Sequence, residues 1–321
     1  MSQLTLTSKL GSPGEVVRFY GTTPPRSGSP ADLIMSAAEK LVARVRGLKL
    51  DGFVVYDLQD ESSRIAAPRP FPFAPTVDSR GYSKLLSELT GTSAVCYKCI
   101  ARLSEAEWLT WLAESCRDYG IEVLSLVGRP TSRGAPFPLA LSRAYQLAAA
   151  HKARFVLGGV AIAERHDSEH SESRRMLAKT ELGCDFFVSQ TVYSANSTIR
   201  MLSDYIRDCR ERGASPRRVI LTFAPCARPK TIAFMKWLGI SIPSETEHAI
   251  LAAPAPLSKS IDICRANLRQ ILDHVDEELP LGVNAESVSI NRDEIDASID
   301  LFLTLTEMAE SRYGSPSQAG S

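Results

Sequence analysis

Residues 155–190 read FVLGGVAIAERHDSEHSESRRMLAKTELGCDFFVSQ. An apolar run of strand length (155–160) opens the stretch and gives way to a polar loop. A helical stretch over 169–183 comes next, ending on Gly183, and a second apolar run (185–190) begins just beyond it. Glycine past the end of a helix supplies the left-handed residue that stops it. Apolar runs without polar alternation fit strands covered on both faces, which is the parallel-sheet situation. The stretch therefore describes one strand–helix–strand crossover.

The same alternation extends in both directions. Strand-like runs lie at 16–20, 52–56, 94–98, 121–126, 217–223 and 281–288. Helix candidates lie at 30–47, 82–90, 104–119, 137–150, 194–213, 228–238, 258–277 and 292–311. Ser104 and Glu107 form a capping box at one helix start, and Asn291 with Asp293 and Glu294 gives another an acidic first turn. Gly120 and Gly213 stand where two more helices should end. Eight strand–helix units predict an α/β fold of the (β/α)8 TIM-barrel type. Residues 1–313 form its single domain, and 314–321 (GSPSQAGS) are expected to be a disordered tail. No G-x-G-x-x-G fingerprint comes after any strand, which counts against a doubly wound open sheet. Residues 64–80, rich in Pro and Arg, read as an ordered, irregular excursion after the second strand.

Bulk properties narrow the function. The chain of 321 residues is 44% hydrophobic and 23% charged, ordinary values for a globular domain. Its formal net charge of zero gives no general pull toward nucleic acid or anionic membrane. No apolar run approaches the roughly 20 residues of a membrane helix, and the first residues lack the basic-then-apolar order of a secretory signal. Seven cysteines within apolar segments read as free thiols in a reducing compartment. The expectation is a soluble cytoplasmic enzyme with neither nucleic-acid nor membrane partner.

A barrel builds its site from the residues just past each strand's carboxyl end. Those positions hold Gly21 to Arg26, then Asp57, Asp60 and Glu61, then Lys98 and Arg129. Glu164, Arg165, His166 and His170 come after the fifth strand, and Ser189 and Gln190 close the sixth. Thr222 belongs to the seventh; Asn284, Glu286 and Arg292 belong to the eighth. His166 and His170, four apart, could share a helix face and hold zinc with Glu164. At a helix start, capping or anion binding is the commoner role, so no metal is expected. Cys96 and Cys99 face opposite ways on a strand and read as packing, as do Trp108, Trp111 and Trp237 on helix faces. The acidic run after the second strand is equally a site or a solvated loop.

The segment GGVAIAERHDSEHSESRRMLAKTELGCDFFVSQTVY (158–193), succeeded in order by a proline loop and VSINRDEIDASIDLF (288–302), resembles methylenetetrahydrofolate reductase. The likeness runs from about Val17 to Leu305. It implies a (β/α)8 barrel that binds FAD, takes hydride from NAD(P)H and reduces 5,10-methylenetetrahydrofolate to 5-methyltetrahydrofolate for methionine biosynthesis. By the same resemblance Gln190 orients the pterin, with Arg292 on the substrate side; Asp57, from its place at the end of the second strand, is a further substrate-binding candidate. His166 and Lys179 hold the flavin phosphate and ribityl portion, and Glu164 lies in the same loop.

Three positions depart from the family pattern. Where the resemblance implies a strand-one glutamate, the acid that helps open the substrate's five-membered ring, this chain has Gly21. Where a strand-four aspartate is implied it has Arg129, and Ile162 stands near an implied tyrosine. Another strand end must then supply the acid: Glu61 is the first candidate and Glu286 the second. Arg129, with His166 and Lys179, would hold a nucleotide or flavin phosphate. The paired losses favour NAD(P)H passing hydride without a tightly bound flavin. Other readings are a different one-carbon reaction in the same folate pocket, a folate-binding protein without catalysis, and metal-dependent hydrolysis at His166 and His170.

Overall fold

Eight parallel strands hydrogen-bond in chain order and close on themselves. They are β1 (Val17–Thr22), β2 (Gly52–Val55), β3 (Ala94–Cys99), β4 (Val123–Val127), β5 (Val156–Ala161), β6 (Phe186–Thr191), β7 (Arg218–Phe223) and β8 (Leu281–Glu286). Closure comes from β1, which pairs with β2 on one side and β8 on the other. The computed structural model describes residues 5–60, 65–128 and 138–313. The expected tail at 314–321 lies outside them.

The helices that succeed the strands are α2 (Ala31–Val45), α3 (Ser79–Thr90), α4 (Glu105–Arg117), α5 (Leu141–Ala149), α6 (Glu172–Glu181), α7 (Ala195–Arg212), α8 (Pro229–Trp237), α10 (Pro256–His274) and α11 (Arg292–Arg312). Two helices have no clear sequence signal: α1 (Leu6–Gly11), ahead of the barrel, and α9 (Ser244–Leu251). Both are too short to form without tertiary contacts. Helix α3 begins earlier than its periodicity suggests because Asp78 caps it, accepting from Arg80 N at 2.9 Å. The capping box of α4 forms as expected. No helix among the described residues is long and apolar enough to cross a membrane.

Alternate strand residues point inward and form one apolar cluster that includes Val17, Phe19, Val54, Val95, Phe186 and Ile220. The opposite faces pack against the helices as a second, larger cluster. The interior is filled by pairing large with small residues. A Cβ on Gly158 would lie 2.4 Å from the Phe186 ring, and one on Gly282 would lie 2.5 Å from Ile220 Cδ1. Both glycines are required by close packing. Trp108 and Trp111 stack at 5.2 Å on α4 as packing residues, with Trp108 Nε1 donating to Ala144 O. None of the seven cysteines is in a disulfide, and burial pushes the Cys96 thiol up to about 12.

The amino-terminal end of the barrel is sealed by charge. Leu6 and Leu10 of α1 join the interior cluster. Asp51 receives Lys9 Nζ at 2.7 Å and Arg18 Nε at 2.8 Å, and Arg18 also reaches Glu310 at 2.7 Å. Arg218, buried on β7, donates to Glu15 O at 2.7 Å and Leu281 O at 2.9 Å, and also to Ser12 O. These bonds tie the segment before β1 across the barrel floor.

The excursion after β2 is ordered over 65–78 and runs against the loop after β1. Ser27 N donates to Pro75 O at 2.8 Å, and Val77 N donates to Pro25 O at 2.9 Å. The excursion then docks on α8: Trp237 Nε1 donates to Ala67 O at 2.9 Å, and the Arg69 guanidinium lies 4.7 Å from the Phe234 ring centre. Trp237 therefore packs its helix and anchors this strap as well.

Replacing Asp51 would strand the largely buried Lys9 ammonium and leave Arg18 with Glu310 alone. Asp51→Ala should cost about 3–5 kcal/mol of folding stability, the range for breaking a buried ion pair from one side, read by urea denaturation.

Candidate functional site

The carboxyl ends of the strands meet at the opposite mouth. In the β1–β8 ladder Gly21 is the register partner of Glu286. Both positions have inward parity, and the Glu286 side chain fills the space beside Gly21. A Cβ on Gly21 would lie 2.6 Å from Glu286 Oε2 and 3.1 Å from the Tyr56 hydroxyl. Glycine at position 21 is what leaves room for this carboxyl.

Three polar side chains contact the group among the described residues, and Thr222 stands behind one of them. The Tyr56 hydroxyl donates to Glu286 Oε2 in a short hydrogen bond. Asn284 Nδ2 lies 3.2 Å from the Tyr56 oxygen, 3.3 Å from Thr222 Oγ1 and 3.4 Å from Glu286 Oε2. Thr191 Oγ1 approaches Glu286 Oε1 at 3.5 Å. Burial raises the Glu286 carboxyl above its ordinary value, against the opposing pull of these hydrogen bonds. Burial together with the nearby carboxylate raises the Tyr56 phenol well above its own.

Around this centre lie other expected site residues. Asp57 accepts from Cys99 N at 2.9 Å and Gln59 Nε2 at 3.0 Å, with Lys98 Nζ at 3.6 Å. It braces the ends of β2 and β3 and lines an opening with about 440 Å³ of empty space, together with Arg69, Val127, Trp237 and Leu238. Gln190, closing β6, donates its amide to Leu238 O at 3.1 Å, so the end of α8 reaches over the mouth. Glu164 accepts from Ser241 N at 3.2 Å in the loop after β5.

The remaining candidates lie elsewhere. Lys179 on α6 donates to Val160 O at 2.8 Å from behind the barrel wall, and burial lowers its pKa. His166 bonds through Nε2 to Asp204 Oδ2 at 2.8 Å, and its buried Nδ1 has no partner among the described residues. Arg292 is 83% exposed on the first turn of α11, 3.4 Å from Asp296. Glu61 and Arg129 lie outside the described residues. His170 is exposed and pairs with Asp167, and no three potential metal ligands cluster among the described residues.

The structure thus unites Glu286 with Tyr56, Asn284, Thr191 and Thr222. Tyr56 and Thr191 are not anticipated by the sequence reading. A signal for Tyr56 is present in the strand period, since residues 52, 54 and 56 share one face. Nothing in a single sequence says that this face meets β8.

No protein-family model matches the chain, and no curated protein matches it. Among solved structures, an uncharacterized protein from Clostridium thermocellum that binds two copies of 5-methyl-5,6,7,8-tetrahydrofolic acid is similar at 30% sequence identity. The match has a TM-score of 0.76 and covers 92% of this chain and 96% of the other. Active domain 2 of a chitinase from Pyrococcus furiosus matches at 10% identity and a TM-score of 0.51, covering 93% of this chain and 96% of that one. That second likeness is one of fold alone.

Glu286 makes a signed prediction about stability. A carboxyl raised in the folded state binds its proton more tightly there than when unfolded. Its contribution is full below the unfolded value and declines as pH rises through the raised folded value. Urea denaturation should show wild type losing stability relative to Glu286→Gln as pH rises above the ordinary carboxylate range.

Proposed function

We propose a reaction from one premise: this chain belongs to the methylenetetrahydrofolate reductase family, as a divergent branch with glycine in place of the strand-one acid. In this reading the mouth binds 5,10-methylenetetrahydrofolate and reduces it with NAD(P)H to 5-methyltetrahydrofolate. The observation that carries the reading is the Glu286 carboxyl in the space beside Gly21. The acid expected from strand one is supplied from strand eight, across one rung of the same ladder. Similarity to a protein that binds 5-methyl-5,6,7,8-tetrahydrofolic acid supports the substrate class.

Each step falls to an identified group. Glu286 gives its proton to the departing nitrogen N10, and the bond from N10 to the methylene carbon breaks. An iminium on N5 results. NAD(P)H would supply the hydride that completes the methyl group at that carbon, becoming NAD(P)⁺. Water returns a proton to the carboxylate. A carboxyl whose value is raised by burial remains a usable acid nearer neutrality than an exposed one. Gln190 presents a donor and an acceptor on one amide, which suits a pterin edge. One N–H of that amide bonds Leu238 O, which fixes the side chain and leaves the second N–H and the carbonyl oxygen to face the pterin.

The two residues expected to hold a flavin phosphate have other partners: His166 bonds Asp204, which is itself paired with Arg207, and the Lys179 ammonium is bonded to a wall carbonyl. In this reading the hydride passes from NAD(P)H to the iminium without a flavin between them.

Purified protein should oxidise NAD(P)H only when methylenetetrahydrofolate is present. Glu286→Gln should lower turnover by about 10²–10⁴, the usual worth of a general acid, while 5-methyltetrahydrofolate still binds by calorimetry. Folate binding with no NAD(P)H oxidation in the wild type would replace the reductase with a binding protein.

A further inference from the structure

We propose that Tyr56 is a positioning residue for Glu286, binding Oε2 so that the transferable proton is held on Oε1. The inference rests on Glu286 being the acid, but its geometry is independent of the substrate.

Tyr56 stands just past the end of β2 and shares the inward face with Gly52 and Val54. Its ring is fixed by an edge contact with Tyr97, with centres 4.9 Å apart at 71°. A phenol carries one proton. Because the Tyr56 oxygen accepts from Asn284 Nδ2 at 3.2 Å, its own proton is directed to Glu286 Oε2. Asn284 also reaches Oε2, at 3.4 Å. This oxygen therefore receives hydrogen bonds and acts as the carbonyl end of the carboxyl group. Only Thr191 Oγ1 approaches Oε1 among the described residues, at 3.5 Å, the outer limit of a hydrogen bond. The acidic proton belongs on Oε1, where Thr191 is the one neighbour within reach among the described residues.

Few other groups act on this carboxyl. Among the described residues, the titratable side chains within electrostatic reach of it are Tyr56 from the end of β2, Tyr97 from β3 and Tyr20 from β1, all phenols raised by burial and neutral at neutral pH. Thr191 from β6 and Asn284 from β8 are neutral. No ion pair reaches Glu286 among the described residues. The Tyr56 hydrogen bond is thus the strongest local stabiliser of the ionised form, and its removal should make the proton harder to lose.

The test uses the full chain and two readouts. In the unliganded protein, difference infrared spectroscopy should show the carbonyl stretch of protonated Glu286, assigned by its disappearance in Glu286→Gln. Tyr56→Phe should move that band to higher frequency, as expected for a carbonyl that loses a donor, and move its titration to higher pH. With substrate, the alkaline limb of the kcat profile should shift up by the same interval, and kcat should fall about tenfold with KM little changed. Replacing Tyr56 with 3,5-difluorotyrosine, a stronger donor of the same shape, should move band and titration the opposite way without emptying the site. A band and titration unmoved by either replacement would overturn the assignment. Wild-type protein without NAD(P)H oxidation, yet with a band that responds to Tyr56→Phe, would end the reductase reading and leave the positioning standing.

Discussion

Closure of the sheet between β1 and β8 is the constraint on which everything else turns. Once β1 is paired on both sides, no strand edge remains, and each inward residue has its neighbours assigned by register. A slip of one residue would turn Glu286 out among the helices and bring Ala285 into the mouth. The observed register sets the one carboxyl of β8 against the one glycine at the end of β1. Side-chain volume then decides the outcome, since even a methyl group on Gly21 would overlap the carboxyl oxygen.

The two ends of the barrel treat charge in opposite ways. At the amino-terminal end the charges have partners: Asp51 holds Lys9 and Arg18, and Arg218 is surrounded by backbone carbonyls. Groups satisfied in this way tie segments together and have no free partner site for chemistry. At the carboxyl-terminal end Glu286 is buried with neutral donors, so its proton affinity rises instead of being cancelled by a cation. The strap over 65–78 and the end of α8 cover that mouth through Trp237, Arg69 and the Gln190 bond to Leu238. Covering lowers the local dielectric and strengthens each polar contact beneath it.

Secondary structure is plain in the sequence because it depends on local pattern. All eight apolar runs are strands, with ends moved by a few residues, and a cap such as Asp78 moves a helix start in the same way. Site residues are less evident, for reasons that differ from case to case. Gln190 and Asp57 fall at strand ends, where position alone implies the mouth. Lys179 sits on a helix, and only the packing of α6 on β5 shows that its ammonium lies behind the wall. Arg292 comes soon after the last strand yet turns outward on the first turn of α11. The acidic cluster after β2 draws attention to Glu61, while the buried carboxyl that the structure shows comes from the far end of the chain.

The sequence by itself determined the barrel: the count of strands, their parallel alternation with helices and the family frame that lacks an acid at Gly21. These arise from periodicity, capping and glycine placement, which act over a few residues. Only the tertiary structure decided that Glu286 stands beside Gly21 in the space of the missing side chain, that Tyr56 holds it and that His166 faces Asp204. Those contacts join residues 38 to 265 positions apart in the chain, and their geometry depends on closure, register and the volume of neighbouring side chains. None of these is encoded in any single stretch.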